Sequence, residues 1–185
     1  SELILDSPFD YQRQSILGIP TDIAEPGQPG YVSALEESIL QTIEISEGRA
    51  LVLFTSYSLL NNLYQRLEPH ITRLGYVCLK QGAGSRHNLL EAFKKDTTSV
   101  LFATDSFWEG IDVKGDALEC VILTRLPFKV PTQPIIEARA EAIEMAGGDA
   151  FSDYSLPMAV IKFKQGFGRL IRSCEDRGVV IIFDK

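Results

Sequence analysis

The sequence has 185 residues, 45% of them hydrophobic and 23% charged, which is enough apolar material for one globular α/β domain with its own core. With 18 Lys and Arg against 25 Asp and Glu the net charge is −7, so the chain lacks the basic surface of many nucleic-acid-binding domains and any such contact must be local. Three cysteines without a Cys-x-x-Cys pair exclude a zinc site or an iron–sulfur cluster built from this chain alone.

The cysteines and the ends of the chain indicate the cellular compartment and whether the chain is part of a longer protein. Cys78, Cys120 and Cys174 are predicted to be buried thiols, and their odd number, with no secretory leader, favours a reducing cytoplasm. No apolar run reaches the length of a membrane span, so no membrane partner is expected. The chain begins within a predicted strand at residues 3–5 and stops just after another strand, which is typical of a piece of a longer protein.

Strands and helices are predicted to alternate after an N-terminal turn at 7–11 and a loop at 18–30 that holds three prolines and three glycines. Continuous apolar runs predict strands at 49–54, 76–80, 99–103, 119–124 and 178–183. Apolar residues at helical spacing predict helices at 32–45, 56–68, 85–95, 134–145 and 156–171, the second of them ended by Pro69. This alternation indicates a doubly wound, mainly parallel sheet with helices on both faces, with the chemistry in the loops beyond the carboxyl ends of the strands.

A basic segment, QGFGRLIR at 165–172, closes the last predicted helix. Arg169 and Arg172, three residues apart, are predicted to project from one helical face and to converge on one phosphoryl group, with Gln165 as a further polar contact. The two glycines of the segment each cost a helix about 1 kcal/mol relative to alanine, which indicates close approach of another backbone or a ligand. Taken alone, the segment is more typical of cations that favour a helix C-terminus.

The segment TDSFWEGIDVKG at 104–115 follows a predicted strand. The hydroxyl groups of Thr104 and Ser106, with the N–H groups of a strand-to-helix junction, suit phosphate oxygens. Asp112 can accept a hydrogen bond from a ribose hydroxyl, as acids do in dinucleotide-binding folds. The aromatic pair at 107–108 can stack on a base, although packing in the core is the commoner role.

Two shorter segments, FTSY at 54–57 and QGAGSR at 81–86, also follow strands and open helices, and so offer N–H groups, hydroxyl groups and one arginine to a phosphate. Ser56 and Ser85 are equally typical of helix N-caps. Neither His70 nor His87 has a second ligand nearby in the sequence, so neither is interpreted as metal-binding or catalytic.

A phosphate-binding loop of the form G-x-x-x-x-G-K-[ST] does not occur in the sequence, and no Asp-Glu pair ends a strand to hold magnesium. The chain is therefore not expected to bind a nucleoside triphosphate in the P-loop manner by itself.

These segments, together with SPF at 7–9 and RLPF at 125–128, resemble in kind and order the second motor domain of DinG-type DNA helicases, in the XPD-like, iron–sulfur branch of helicase superfamily two. The resemblance covers essentially the whole chain and implies one RecA-like domain over residues 1–185. In that family two RecA-like domains clamp ATP between them. The first domain holds the phosphates and Mg²⁺ and carries the iron–sulfur cluster, and the second supplies arginine fingers.

The resemblance implies roles for particular residues. Arg169 and Arg172 would be the arginine fingers and Gln165 a γ-phosphate contact, and together these form the expected catalytic set. The expected nucleotide contacts are the same three residues with Gly110 and Asp112. The expected contacts to single-stranded nucleic acid are Thr55, Ser56, Tyr57, Ser85, Arg86, Thr104 and Ser106.

The function implied is that of the C-terminal motor domain of an ATP-dependent DNA helicase that moves along single-stranded DNA, 5′ to 3′ as its relatives do. Its partners would be the strand and the first RecA-like domain of the same protein, and the isolated domain is expected to be a monomer that hydrolyses no ATP. The alternative is a non-catalytic module that binds single-stranded nucleic acid or a protein. Spacing alone does not separate DNA from RNA, because phosphate contacts are common to both.

Overall fold

The computed structural model describes residues 7, 9–104, 107, 113, 117–171 and 173–184. In this described part, six strands form one sheet in the order β1-β6-β5-β2-β4-β3, and each neighbouring pair is parallel. The strands are β1 Ser15–Gly18, β2 Ala50–Phe54, β3 Cys78–Lys80, β4 Val100–Thr104, β5 Cys120–Leu123 and β6 Gly178–Ile182. The predicted parallel sheet is confirmed.

Helices cover both faces of the sheet. They are α1 Tyr11–Gln14, α2 Tyr31–Ile45, α3 Tyr57–Arg73, α4 Arg86–Lys95, α5 Pro134–Met145 and α6 Leu156–Leu170, the last preceded by a π-helical turn at Phe151–Ser155. Alternate residues of the central strands point to opposite faces, so β2 divides its side chains between two cores. Ala50, Val52 and Phe54 pack with α2 and α3, whereas Leu51 and Leu53 pack with α4 and α6.

One local prediction is wrong, and three short elements were not predicted. Pro69 does not end its helix, since α3 continues to Arg73 with Leu67 and Ile71 both buried. Burial of that apolar stripe outweighs the one backbone hydrogen bond that proline removes. The α1–β1 segment and the π-helical turn were not predicted, and the strand predicted at 3–5 lies outside the described residues.

The carboxyl ends of four neighbouring strands lie within two residues of one another in the pairing register. Phe54 of β2 lies opposite Thr104 of β4, Leu53 opposite Leu123 of β5, and Lys80 of β3 opposite Phe102. The residues that follow β2, β3 and β5 therefore lie along one edge of the sheet with Thr104. We call this row the carboxyl edge.

Candidate functional site

Two serines at the carboxyl edge cap helices. The Ser56 Oγ accepts from the N–H of Leu59 at 3.3 Å at the start of α3, and the Ser85 Oγ accepts from the N–H of Asn88 at 3.2 Å at the start of α4. Both serines are exposed. Because each oxygen accepts the capping bond, each hydroxyl keeps its own proton to donate, so the cap role leaves a phosphate contact possible.

Gln81 joins three parts of the carboxyl edge. Its Oε1 accepts from the Thr104 N–H at 2.7 Å and from the Thr104 Oγ1 at 3.0 Å, while its Nε2 donates to the Tyr57 hydroxyl at 2.5 Å. Thr104 is only 4% exposed, so the structure places its side chain beneath Gln81. The sequence analysis selected the segment at 81–86 but gave Gln81 no role, although Gln81 directly follows β3.

A cleft of about 320 Å³ opens beside Gln81, lined by Tyr57, Gln81, Gly82, Gly84, Arg86, Leu89 and Phe107. The Arg86 guanidinium lies 4.9 Å from the centre of the Phe107 ring and donates to the Phe107 carbonyl at 3.5 Å. Phe107 is 3% exposed and belongs to the core, which confirms the commoner interpretation for that ring, whereas Trp108 lies outside the described residues. The cleft thus brings Tyr57 and Arg86 together.

A second group of polar residues lies where β2 and β5 end. Thr55 is exposed and lines a narrow gap with Arg125 and Lys162. The Arg125 guanidinium lies 5.8 Å from the ring of Tyr31, whose hydroxyl donates to the Thr124 carbonyl at 2.7 Å. Burial raises the pKa of Tyr31, and Arg125 opposes that shift. Arg125, which belongs to the RLPF segment, is a cation of this edge that sequence reasoning did not select.

The basic segment at 165–172, from here on called the arginine segment, is only partly helical. Helix α6 ends at Leu170, and Ile171 has extended backbone with φ −110° and ψ 112°. Gln165 and Arg169 therefore share a helical face at i and i+4. The helix predicted to reach 171 ends one residue earlier, and the placement of Arg172 relative to Arg169 stays a prediction. Gln165 is exposed. The Arg169 side chain and all of Arg172 lie outside what the structure describes.

Gly168 leaves open space on α6. A Cβ placed at Gly168 would meet no described atom within 4 Å. The glycine is therefore not needed for packing among the residues described. A close approach at this position must come from a nucleotide, another domain or the part of the chain outside the described ranges.

The turn after the arginine segment is held by Gln14, a residue to which the sequence analysis gave no role. Ser173 donates its N–H to the Asp176 carboxylate at 2.8 Å, and the buried Gln14 donates to the carbonyls of both residues. Leu170 and Ile171, on the other side, are buried in the core. The backbone on both sides of the expected second finger is thus anchored.

Other expected site residues, Ser106, Gly110 and Asp112, lie outside the described residues, so their roles stay predictions. Among the residues described, no group of three or more His, Cys, Asp or Glu side chains can hold a metal ion, and no helix is long and apolar enough to span a membrane. Cys120 is buried and Cys78 half-buried, but Cys174 is exposed, so the prediction of a buried thiol is wrong there.

Comparison with known proteins identifies the family. Residues 39–185 match the model of the helicase C-terminal domain. The whole chain is 48% identical to the ATP-dependent DNA helicase YoaA of Haemophilus influenzae and covers 28% of it. Over 99% of the chain it is 41% identical to the ATP-dependent DNA helicase DinG of Photobacterium profundum, of which it covers 27%. It is 37% identical over 98% of its length to the 3′-5′ exonuclease DinG of Bacillus subtilis and covers 20% of that protein.

Solved structures agree on the fold. An XPD helicase superposes with a TM-score of 0.71 at 17% identity, over 92% of this chain and 31% of that one. Domain 2 of the DEAD-box helicase Mss116p superposes with a TM-score of 0.58 at 18% identity, over 93% of this chain and 54% of that one. The chain spans less than a third of the curated relatives it matches. It has the RecA-like fold and belongs to the helicase C-terminal domain family.

Proposed function

We propose that this chain is the second motor domain of an ATP-dependent DNA helicase that moves 5′ to 3′ along single-stranded DNA. The observation that carries the proposal is the family match over residues 39–185, which takes in both the carboxyl edge and the arginine segment. Relatives at 48% and 41% identity are named ATP-dependent DNA helicases. The remaining length of those relatives leaves room for a first RecA-like domain.

In this proposal the arginine segment completes an ATP site whose phosphates and Mg²⁺ are held mainly by the first domain. Arg169 and Arg172 stabilise the charge that develops on the γ-phosphoryl group, and Gln165, exposed on the face it shares with Arg169, contacts the same group. Gly110 and Asp112 contact the nucleotide. Arginine fingers contribute about 10³–10⁵ in rate to phosphoryl transfer, but only when a nucleotide is presented to them.

The carboxyl edge forms part of the track for the strand. Exposed donors at Thr55, Ser56, Tyr57, Ser85 and Arg86 run along the ends of β2 and β3 and the starts of α3 and α4. Ser106 is proposed as a further contact, whereas Thr104, the last residue of β4, is buried against Gln81. Groups of this kind bind the phosphate backbone without reading sequence. A chain of net charge −7 gains little from counterion release, so binding by the isolated domain should be weak and should fall steeply as salt is added.

Parts of the proposal concern the rest of the protein. The phosphate-binding loop, the Mg²⁺ ligands and the cluster cysteines belong to the first domain, so an iron–sulfur cluster is expected only in the full-length protein. That domain is also the main partner of this one, and the cytoplasm is the expected location.

The test compares the full-length protein with the isolated chain in a steady-state ATPase assay, with and without single-stranded DNA. The full-length protein should hydrolyse ATP faster when DNA is added, and it should unwind a duplex with a 5′ single-stranded tail. The isolated chain should show no turnover. DNA-stimulated turnover by the isolated chain, or none by the full-length protein, would overturn the proposal, and DNA binding without any turnover would favour the non-catalytic alternative.

A further inference from the structure

We infer that Gln81 is a positioning residue that fixes the Tyr57 hydroxyl as a hydrogen-bond donor to a phosphate of the bound strand. The inference rests on the proposed function, since it assigns a chemical class of contact to one cleft of the proposed track.

The orientation of the Gln81 amide is determined by its neighbour. A backbone N–H can only donate, and the Thr104 N–H lies 2.7 Å from one end of the amide, so that end must be the oxygen. The Thr104 hydroxyl at 3.0 Å donates to the same oxygen. The NH₂ end therefore faces Tyr57. The flipped amide would place two donors against each other at Thr104, so it does not fit.

That orientation determines what Tyr57 presents to the cleft. The amide donates to the Tyr57 oxygen, so the phenol proton must point away from Gln81. Among the described residues the Tyr57 hydroxyl donates to no acceptor, and its side chain is 54% exposed at the wall of the cleft. Tyr57 is thus prepared to donate to an incoming group that accepts hydrogen bonds.

The other groups of the cleft favour the same class of ligand. Arg86 carries only donors and is exposed at the same opening. A Cβ at Gly82 or Gly84 would meet no described atom within 4 Å, so this wall stays open to a backbone. The non-bridging oxygens of a phosphodiester are acceptors only, and the Tyr57 hydroxyl and the Arg86 guanidinium at this cleft are suited to donate to them.

The chain of bonds gives a specific expectation for Gln81 variants. Gln81→Met removes all three bonds and leaves the phenol free to rotate. Gln81→Glu keeps an acceptor for Thr104, but its second oxygen accepts from Tyr57 and turns the phenol proton inward. Both variants should therefore weaken binding of the strand. Only Gln81→Met also removes the acceptor of the buried Thr104 N–H. Gln81→Glu therefore tests the loss of the Tyr57 donor while the hydrogen bonds that hold Thr104 in the fold are kept.

The experiment uses the full-length protein and a fluorescein-labelled oligothymidylate, with affinity read by anisotropy and the KM for the strand read from DNA-stimulated ATPase. Tyr57→Phe should weaken affinity about tenfold, as expected for a lost hydrogen bond to a charged group. Gln81→Met and Gln81→Glu should each raise the KM for the strand by a similar factor, with kcat at saturating strand within about twofold of wild type. When Tyr57 is already phenylalanine, adding Gln81→Met should lower the affinity for the strand by less than about twofold.

Tyr64→Phe is the matched control, because its hydroxyl is on the same helix but donates to the Cys78 carbonyl at 3.5 Å, outside the cleft. It should leave affinity unchanged. A strand carrying single methylphosphonate linkages adds a test of the contacted group. One methylphosphonate position should lower the affinity of the wild type most. The same replacement should have little effect on the affinity of Tyr57→Phe.

Fully additive losses for Tyr57→Phe and Gln81→Met would overturn the inference, as would normal affinity in Gln81→Glu. The proposed function is judged separately by Arg86→Ala and Thr55→Ala. If these also bind normally, the strand does not follow the carboxyl edge. If they weaken binding while Gln81 and Tyr57 show no coupling, only the role of Gln81 is lost.

Discussion

The side-chain amide of Gln14 donates to the Ser173 carbonyl at 2.7 Å, across 159 positions of sequence, and to the Asp176 carbonyl at 2.9 Å. The same side chain accepts from the Asp10 N–H at 3.0 Å, so its oxygen and both of its donors are used. Gln14 is only 8% exposed. One amide thus ties α1 to the turn that follows the arginine segment.

Gln14→Leu should lower the free energy of unfolding by about 1–3 kcal/mol, because it leaves part-buried carbonyl groups without donors. Urea denaturation followed by circular dichroism measures the change. Gln41→Leu is the control, since Gln41 is exposed and makes only a 3.5 Å contact with Glu37. Equal stability of Gln14→Leu and wild type would show that the turn is held by its own Ser173–Asp176 bonds.

Gly168→Ala should have opposite effects on stability and activity. At this exposed helical position with open space, alanine should stabilise the isolated domain by about 0.5–1 kcal/mol, because alanine loses less backbone entropy in a helix. In the full-length protein the added methyl group should lower ATP turnover if a nucleotide or the first domain approaches there. Unchanged turnover in a stabilised variant would show that nothing approaches Gly168.

Gly178→Ala provides the contrast to Gly168→Ala. A Cβ at Gly178 would lie 2.5–2.7 Å from side-chain atoms of Leu170, where α6 packs on the first residue of β6. Overpacking of this kind should destabilise the domain by about 1–3 kcal/mol. Thermal melts of the two alanine variants should therefore shift in opposite directions. A shift in the same direction would contradict the packing described for one of the two glycines.

The three cysteines should differ in reactivity. Brief treatment with iodoacetamide at pH 8 should modify the exposed Cys174 first, because only a thiolate reacts and it must be accessible. Burial raises the pKa of both Cys78 and Cys120 to about 12, so these should react only after unfolding. Mass spectrometry of the digested protein reads the order. Fast modification of Cys120 in the native protein would contradict its place in the core.

Alkaline conditions should destabilise the fold through the same thiols. An unfolded thiol ionises near its ordinary pKa of 9.0, whereas the folded Cys120 stays protonated to about 12. Its contribution is therefore fully present below pH 9.0 and is lost as the pH rises towards 12, with a slope of about 1.4 kcal/mol per pH unit for one thiol. Cys120→Ala should make this decline shallower in urea titrations at pH 8, 9 and 10. An unchanged slope would contradict the burial of that thiol.

Much of the sheet could be predicted because its determinants are local. The apolar runs of β2, β4 and β5 are buried throughout and were placed to within one or two residues. Helix α5 was predicted over 134–145 and is observed at Pro134–Met145, with proline at its first position, where no backbone donor is needed.

Other features have no local signal. Ile16 and Leu17 of β1 are 65% and 53% exposed, and the strand exists because it pairs with β6 from the far end of the chain. The Gln81 bonds to Thr104 and the Gln14 bonds to Ser173 and Asp176 join residues 23 to 162 positions apart. Spacing rules apply within one helix or strand, so they do not predict such links. They also placed the end of α6 one residue too far, at 171 instead of Leu170.

ATP turnover by full-length Arg169→Ala and Arg172→Ala, at saturating single-stranded DNA, decides whether this domain supplies the arginine fingers. Each variant should lower kcat by about 10³-fold or more with little change in melting temperature or strand affinity, because stabilisation given only in the transition state appears in kcat. Lysine at either position should restore little, since an ammonium lacks the planar fork. Exposed helix-end cations would contribute only about 0.3–1 kcal/mol to stability, so near-wild-type kcat in both alanine variants would contradict the proposed role.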